Sequence, residues 1–405
     1  MKQTTLAVLS LLAALTVSAN GYKILCVRSA KATAMGEAFI VQADDPTAVA
    51  FNPAGLADLE GLQLSLQSTW CNAYTERESP SGVGTDMEDD WQMVPAFYAT
   101  WETGIENLGV GIGVSVPNGL ASEWEKDSFA SYTGYYSELI IADYTVALGY
   151  RLSNHLTIGV GLDFYVSNLD QRQTVPGFLV QAPFDPTAYL EGDGTAWGFN
   201  VGLRYEFNER HAIAATYRKG FTVDYEGDLT VQGMGQFDMD TSIDYPGSIV
   251  LGYCFRPNEK WTFEANIDWT HWSNVGDVIV DVPSFPSPLF QQIVIDRDYE
   301  NTFAYKLGVQ YQYSEALALR AGYIYNENAT NEVAWNPTQP DTDMHFFTVG
   351  FGYDLTENVT LESALQVVCY ETRDVDSAIG FPPEGVDGTY RTWAPCFTLG
   401  VTCRF

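Results

Sequence analysis

In HLTIGVGLDFYV, residues 155–166, every even position is apolar: Leu156, Ile158, Val160, Leu162, Phe164 and Val166. The odd positions are His155, Thr157, Gly159, Gly161, Asp163 and Tyr165. Successive side chains of a pleated chain point to opposite sides, so a period of two marks a strand with one greasy face. WGFNVGLRYEF (197–207), WTFEANIDW (261–269) and TFAYKLGVQY (302–311) repeat the pattern. Working outward, fourteen such segments fall near 62–72, 91–102, 107–117, 136–152, 155–168, 195–208, 211–224, 242–255, 260–272, 301–313, 316–327, 343–354, 359–371 and 391–405.

A soluble sandwich would show the same alternation, with its greasy face toward a core. Three features select a membrane barrel instead. The strand number is even, which lets a barrel close with both ends on one side. The connections alternate between long and tight, the tight ones being Ser153-Asn154, Asn208-Glu209-Arg210, Pro257-Asn258-Glu259, Ser314-Glu315, Thr356-Glu357-Asn358 and a turn near Gly104. Short periplasmic turns and long outer loops are the outer-membrane arrangement. Finally, the apolar faces of the strand cores carry no Asp, Glu, Lys or Arg, each of which would cost up to about 2–4 kcal/mol at mid-membrane. Strands heading for the short-turn side end that face in Trp101, Tyr150, Phe207, Phe255, Tyr311, Tyr353 and Phe405, half of an aromatic girdle. The fold class is all-β: a 14-stranded antiparallel transmembrane barrel, over residues 61–405.

The rest of the chain agrees. Lys2 precedes the apolar run LAVLSLLAALTVSA, which ends in Val17-Ser18-Ala19. This reads as a signal peptide over 1–19, too short for a spanning helix. Cys26 invites a lipid anchor, but Leu25 is large where a small residue is required. The last strand, TLGVTCRF, offers Gly400 and the terminal Phe405 at the spacing read by the outer-membrane barrel assembly machinery. Aromatic residues make up 14% of the chain, rich for a soluble protein and ordinary for a barrel with girdles. The formal charge of −32 excludes nucleic acid as an electrostatic partner. Acidic loops such as TERESPSGVGTDMEDDW (75–91) suit divalent bridges to lipopolysaccharide or a solvated face. Of the six cysteines, Cys71, Cys369 and Cys396 would lie near one end of neighbouring strands, where one pair can be bridged; none shows metal-ligand spacing. No metal or cofactor is expected. The four histidines (His155, His211, His271, His345) fall at strand ends outside any nucleophile–base constellation, so the chain is read as a non-enzyme.

Between the signal and the first strand lies SAKATAMGEAFIVQADDPTAVAFNPAGLADLEG (29–61), with two short helical turns joined by Asn52-Pro53-Ala54. Asn suits an N-cap and Pro the first helical position. Fourteen strands enclose a lumen too wide for wall side chains to fill, so this segment, residues 20–60, is expected to pack inside as a plug. The run resembles the N-terminal hatch of the FadL family of outer-membrane transporters for long-chain fatty acids and other hydrophobic compounds, including its NPA motif. VGIGVSVPNGLASEW, PGSIVLGYCFRPNEKWTFEANIDWTHWS and YKLGVQYQYSEALALRAGYIYN carry the resemblance through the barrel.

The resemblance implies passive uptake: capture of a hydrophobic molecule by outer loops, transfer to an inner site, and sideways release through a kinked third strand when the hatch shifts. That strand, LGVGIGVSVP, places Gly109, Gly111 and Gly113 at the lateral gate. The capture loop is expected at 171–194, where Phe178, Leu179, Val180, Phe184, Tyr189 and Leu190 are apolar residues an ordinary solvated loop would not expose. Lumen-facing cations are Arg151, Arg204, Arg218, Lys306 and Arg320. Lys306 and Arg218 are the candidates for an anionic head group, against pairing with Asp143, Asp163, Glu206, Glu264, Asp268 and Glu362 across the lumen. The acidic loops would repel a fatty carboxylate, which makes neutral hydrophobes such as aromatic hydrocarbons the alternative cargo. A general diffusion porin is the alternative of a different class, and a hatch would defeat it. The protein is expected to be a monomer in the outer membrane.

Overall fold

The computed structural model describes residues 23–295, 297–330, 335–338, 341–376 and 385–405. The signal peptide expected at 1–19 lies outside the described residues, as do 20–22. Fourteen antiparallel strands close into a ring: β1 (Leu62–Cys71), β2 (Gln92–Glu102), β3 (Leu108–Glu123), β4 (Tyr136–Arg151), β5 (Leu156–Thr174), β6 (Thr187–Asn208), β7 (His211–Arg218), β8 (Ser248–Asn258), β9 (Trp261–Thr270), β10 (Thr302–Gln312), β11 (Leu317–Asn326), β12 (Met344–Thr356), β13 (Val359–Tyr370) and β14 (Gly388–Arg404). Each pairs with its predecessor, and β14 pairs back onto β1 from Gln63↔Arg404 to Cys71↔Cys396. Closure pairs the first strand with the last, so neither is left as an open edge to aggregate. A disulfide between Cys71 and Cys396 staples this seam, while Cys369 stays a free thiol.

The alternating residues divide as a lipid-facing wall requires. Val160, Leu162, Trp197, Leu251 and Leu307 are exposed on the outer surface, whereas Asp163, Asn200, Glu264 and Asp268 are buried on the inner one. Cross-strand aromatic pairs pin the register outside, including Phe164–Trp197 at 4.6 Å between ring centroids and Trp261–Tyr311 at 4.6 Å.

Three strands run well past the boundaries read from the sequence. β3, β5 and β6 continue above the membrane because loop residues pack on their inner faces. Residues 187–194, taken as part of a loop, are strand. The segments drawn at 211–224 and 242–255 are shorter, since β7 ends at Arg218 and β8 begins at Ser248. Between them a hairpin, Phe221–Val231 with Gly235–Tyr245, leaves the wall at Gly220 and returns at Pro246-Gly247. It pairs with the extended β6 from Asp224↔Thr195 to Val231↔Ala188. Gly220 and Gly247 cross so closely that a Cβ on Gly220 would stand 2.8 Å from the Gly247 nitrogen.

Residues 23–61 lie inside the ring. Helix α1 (Ala30–Ala34) is capped by Ser29, whose Oγ accepts from the Ala32 N–H at 3.2 Å. Helix α2 (Ala48–Phe51) leads into a 3-10 turn, Pro53–Asp58, with Asn52 as its N-cap and Pro53 at its first position. Phe39, Val49, Phe51 and Leu56 form a buried apolar cluster with the wall residues Ala96, Tyr98 and Ala147.

Candidate functional site

Asn52 is fully buried and spends its whole amide on the segment's own backbone. Its Oδ1 accepts from Ala54 N at 3.0 Å, and its Nδ2 donates to Ile40 O at 2.7 Å. The turn it caps lies flat on a row of wall glycines. Gly109, Gly149, Gly159 and Gly202 stand in register across β3, β4, β5 and β6. A Cβ on Gly202 would overlap the Asn52 carboxamide, one on Gly159 the Pro53–Ala54 peptide, and one on Gly109 the Leu56 carbonyl. Glycine here permits backbone-to-backbone contact between plug and wall.

Ion pairs fix the same segment. Asp58 pairs with Arg151 and Arg204 of the wall. Glu37 lies 3.1 Å from Lys306 and 3.7 Å from Arg28, and accepts from the Cys26 N–H at 2.8 Å. Burial alone would raise its carboxyl, but Lys306 and Arg28 hold it below the usual carboxylate range. Asp268 bridges Lys306 and Lys23, each at 2.9 Å. Glu264 accepts from the backbone N–H groups of Val41 and Gln42 at 2.9 and 3.1 Å. Arg218 reaches Asp143 at 3.0 Å and Asp163 at 2.9 Å, and Arg320 pairs with Glu362. Lys306 and Arg218, named as ligand cations, are therefore both ion-paired here. Sequence reasoning missed Glu37, Asp58, Lys23 and Arg28, all on the inserted segment. Their one local signal was charge inside an otherwise apolar, helix-forming run.

The wall is incomplete at one place. β2 and β3 pair from Glu102↔Gly109 up to Phe97↔Val114, and no further among the described residues. Above that level β2 keeps its ladder to β1, and β3 shifts register against β4 between Ser115 and Asn118. Pro95 and Pro117, which cannot donate a backbone hydrogen bond, stand on the two separated edges. Contact between the edges resumes at Glu88 N to Glu123 O, 2.8 Å. The start of the described chain closes on the gap: Ile24 N donates to Pro117 O at 2.9 Å, and Lys23 bridges Asn118. Gly109, Gly111 and Gly113 lie below it in the zipped ladder, opposite Glu102, Thr100 and Tyr98 and beneath Leu56 and Val49.

Behind the gap is a cavity of about 90 Å³. Its lining includes Lys23, Arg28, Arg218, Lys219 and Lys306, with Glu37 and Asp268 as its carboxylates, and Phe51 and Phe221 as aromatic walls. Phe221 also belongs to a large apolar cluster that fills the outer vestibule, built from the 221–245 hairpin, the 272–299 loop and the upper ends of β4–β6. Of the expected capture residues, Leu190 is buried in that cluster and Leu179 and Val180 pack against it. Phe178 and Phe184 are exposed, and Tyr189 is half-buried under Arg172.

At the other end, Phe405 is exposed while its N–H donates to Leu62 O at 2.8 Å. Gly400 faces Gln67, whose carboxamide oxygen accepts from Ala30 N at 2.9 Å, so the glycine leaves room for a wall-to-plug bond.

A closed outer-membrane barrel whose lumen is filled by its own N-terminus, with an apolar vestibule above and an unzipped wall beside it, defines a transport barrel for hydrophobic compounds. A family model described as outer membrane protein transport protein (OMPP1/FadL/TodX) matches residues 10–405, and the chain belongs to that family. It is 24% identical over 405 residues to the 47 kDa outer membrane protein of Pasteurella multocida (strain Pm70), covering 91% of this chain and 90% of that one. To the long-chain fatty acid transport protein of Escherichia coli (strain K12) it is 20% identical over 368 residues, covering 79% and 81%. Among solved structures, a Pseudomonas aeruginosa FadL homologue superposes with a TM-score of 0.83 at 17% identity over 95% of this chain and 100% of that one. The Ralstonia pickettii toluene transporter TbuX gives 0.72 at 17% identity over 95% and 99%.

Proposed function

We propose that the protein takes up long-chain anionic amphiphiles, fatty acids foremost, by passive diffusion. The ligand enters the outer apolar cluster and passes by Phe221 to the inner cavity. It leaves sideways between β2 and β3 when the hatch, residues 23–60, shifts.

The observation that carries the choice of ligand is the charge around the cavity. The chain bears 52 acidic and 20 basic residues, yet five basic residues line this one space. The carboxylates in contact with them are Glu37, Asp268, Asp143 and Asp163, leaving five cations against four anions. Lys219, the fifth, is exposed at the edge of the cavity and has no ion-pair partner among the described residues. An unpaired cation at the edge of the cavity favours a carboxylate head group there. The acidic outer loops oppose its approach only within a Debye length of about 8–10 Å in salt.

Passage requires movement, because about 90 Å³ is less than the ~150 Å³ of an apolar cavity that accepts benzene. The hatch is suited to moving, since Cys26, Glu37 and Ala43 all hold left-handed backbone without being glycine, a conformation that costs roughly 1–3 kcal/mol each. The lateral exit belongs to residues 92–96 and 115–122 in this reading, with Gly109, Gly111 and Gly113 serving to seat the hatch beneath it.

Mild extraction followed by mass spectrometry of the co-purifying ligand tests the proposal. A bound fatty acid is expected; a bound aromatic or other neutral hydrocarbon would replace the carboxylate reading. Steady ion conductance of the pure protein in a planar bilayer would overturn the plugged channel in favour of an open porin.

A further inference from the structure

We propose that Tyr98 is a positioning residue of the lateral exit, its hydroxyl tying β2, β3 and the hatch together at the lower lip of the wall gap. The inference rests on the uptake reading above and names the joint that must part for it. Tyr98 is 1% exposed and faces the lumen from β2. It stands opposite Gly113, next to the last rung of the ladder, Phe97↔Val114. The ring lies over that glycine, where a Cβ would come 2.7 Å from the Tyr98 Cδ1. Beyond it the hydroxyl donates to the Arg28 carbonyl of the hatch at 3.1 Å. The same hydroxyl is hydrogen-bonded to the side chain of Ser115, the first β3 residue without a β2 partner among the described residues.

A buried tyrosine hydroxyl usually finds a hydrogen-bond partner, so the identity of the partners carries the information. Here they belong to β3 and to the hatch, the bodies that move apart in sideways release. Among the described residues, no other side chain of β2 hydrogen-bonds to residues 23–60. Arg28 spans the joint and the cavity. It lines the cavity, with its guanidinium 4.5 Å from the Phe51 ring centroid and 3.7 Å from Glu37, while its carbonyl holds Tyr98. Nearer the start of the described chain, the Ile24 N–H donates to Pro117 O at 2.9 Å, on the open edge of β3. Residues 24–28 are therefore fastened to β3 at one end and to β2 at the other. The end of a strand ladder frays first, and here that end is held from the lumen by one buried hydroxyl. Tyr98 thus couples the position of residues 24–28 to the pairing of β2 with β3.

Hydrogen exchange and stopped-flow release of myristate, both on the chain in lipid nanodiscs, test this together. Tyr98→Phe keeps the ring and removes the hydroxyl. Protection of the Ile24 amide is then expected to fall about two- to tenfold, the factor for one lost hydrogen bond. Myristate is expected to leave faster by the same factor, with its association rate unchanged. Amides from Thr100 to Glu102, in the zipped ladder below, should keep wild-type protection, which a merely structural role would not allow. Ser115→Ala retains the Arg28 bond and is expected to loosen Ile24 less than Tyr98→Phe does. Unchanged Ile24 exchange or unchanged release in Tyr98→Phe overturns the inference and leaves the uptake reading standing. Loss of protection throughout the barrel, or failure of Tyr98→Phe to assemble, overturns it by making Tyr98 a packing residue. Ser115→Ala loosening Ile24 as much as Tyr98→Phe overturns the tie to the hatch. A wild type that retains no myristate overturns both readings.

Discussion

The lower and upper halves of the lumen solve burial in opposite ways. Below the wall gap, polar groups meet polar groups: Asp58 with two arginines, Glu37 with Lys306 and Arg28, Glu264 with two backbone N–H groups. The backbone of the plug rests directly on a glycine row. Above the gap the interior is a hydrocarbon cluster built from the 221–245 hairpin, the 272–299 loop and the upper ends of β4–β6. The lower half is specific to one occupant, its own N-terminus. The upper half is greasy and incomplete, suited to an occupant that comes and goes.

The largest effect that would break this contrast is a side chain added to the shelf. Gly202→Val drives Asn52 off its seat, and we expect unseating of the plug, read as a several-fold rise in small-solute leakage through the outer membrane. Gly84→Ala, in an outer loop where a Cβ would meet nothing within 4 Å, is expected to leave leakage at the wild-type level. Equal leakage from both variants would remove the glycine row from any role in seating.

Glu37→Gln strikes the ionic half of the lower region. It leaves Arg28 without its carboxylate and Lys306 with Asp268 alone, and losing one partner of a buried pair costs about 3–5 kcal/mol. Residues 23–60 should then become cleavable by protease added from the periplasmic side while the barrel stays intact. Unchanged protection would show the ion pairs to be dispensable.

The Cys71–Cys396 staple lies at the upper rim, beside the part of β2 that has lost its β3 neighbour. Replacing both cysteines by serine is expected to cost about 2–4 kcal/mol of barrel stability, seen as a lower temperature for the gel-mobility shift of unfolding. Reduction of the wild type should match it.

The smallest effect concerns Asp341 in the outer loops, whose carboxyl burial raises to about 8. The folded form then holds a proton that the unfolded chain releases near pH 4. Stability of this loop region therefore falls as pH rises from about 4 to about 8 and levels off above that. Hydrogen exchange at 341–343 should follow that profile in wild type and flatten in Asp341→Asn. A wild-type profile without slope would show Asp341 to be solvated.

Much of the wall was legible because it is local. Period-two alternation, tight turns and aromatic ends are written into each ten-residue stretch, so fourteen strands and their side of the membrane follow from the residues. Strand ends were less legible: 187–194 became strand and 219–224 left the wall because a hairpin 30 residues downstream pairs with β6. The pairing of lumen cations was half legible. Arg218 with Asp143 and Asp163, and Arg320 with Glu362, join wall to wall, as strand parity allows. Lys306 with Glu37 is separated by 269 residues, and only insertion of the plug brings them together.

By itself the sequence determined a corked barrel, because backbone geometry converts a zigzag of greasy and polar residues into a lipid face and a lumen face. The tertiary structure alone decided which glycines line up under Asn52 and where β2 and β3 part. Those features depend on register between strands and on loops folding over one another, relations between distant residues that no local pattern encodes.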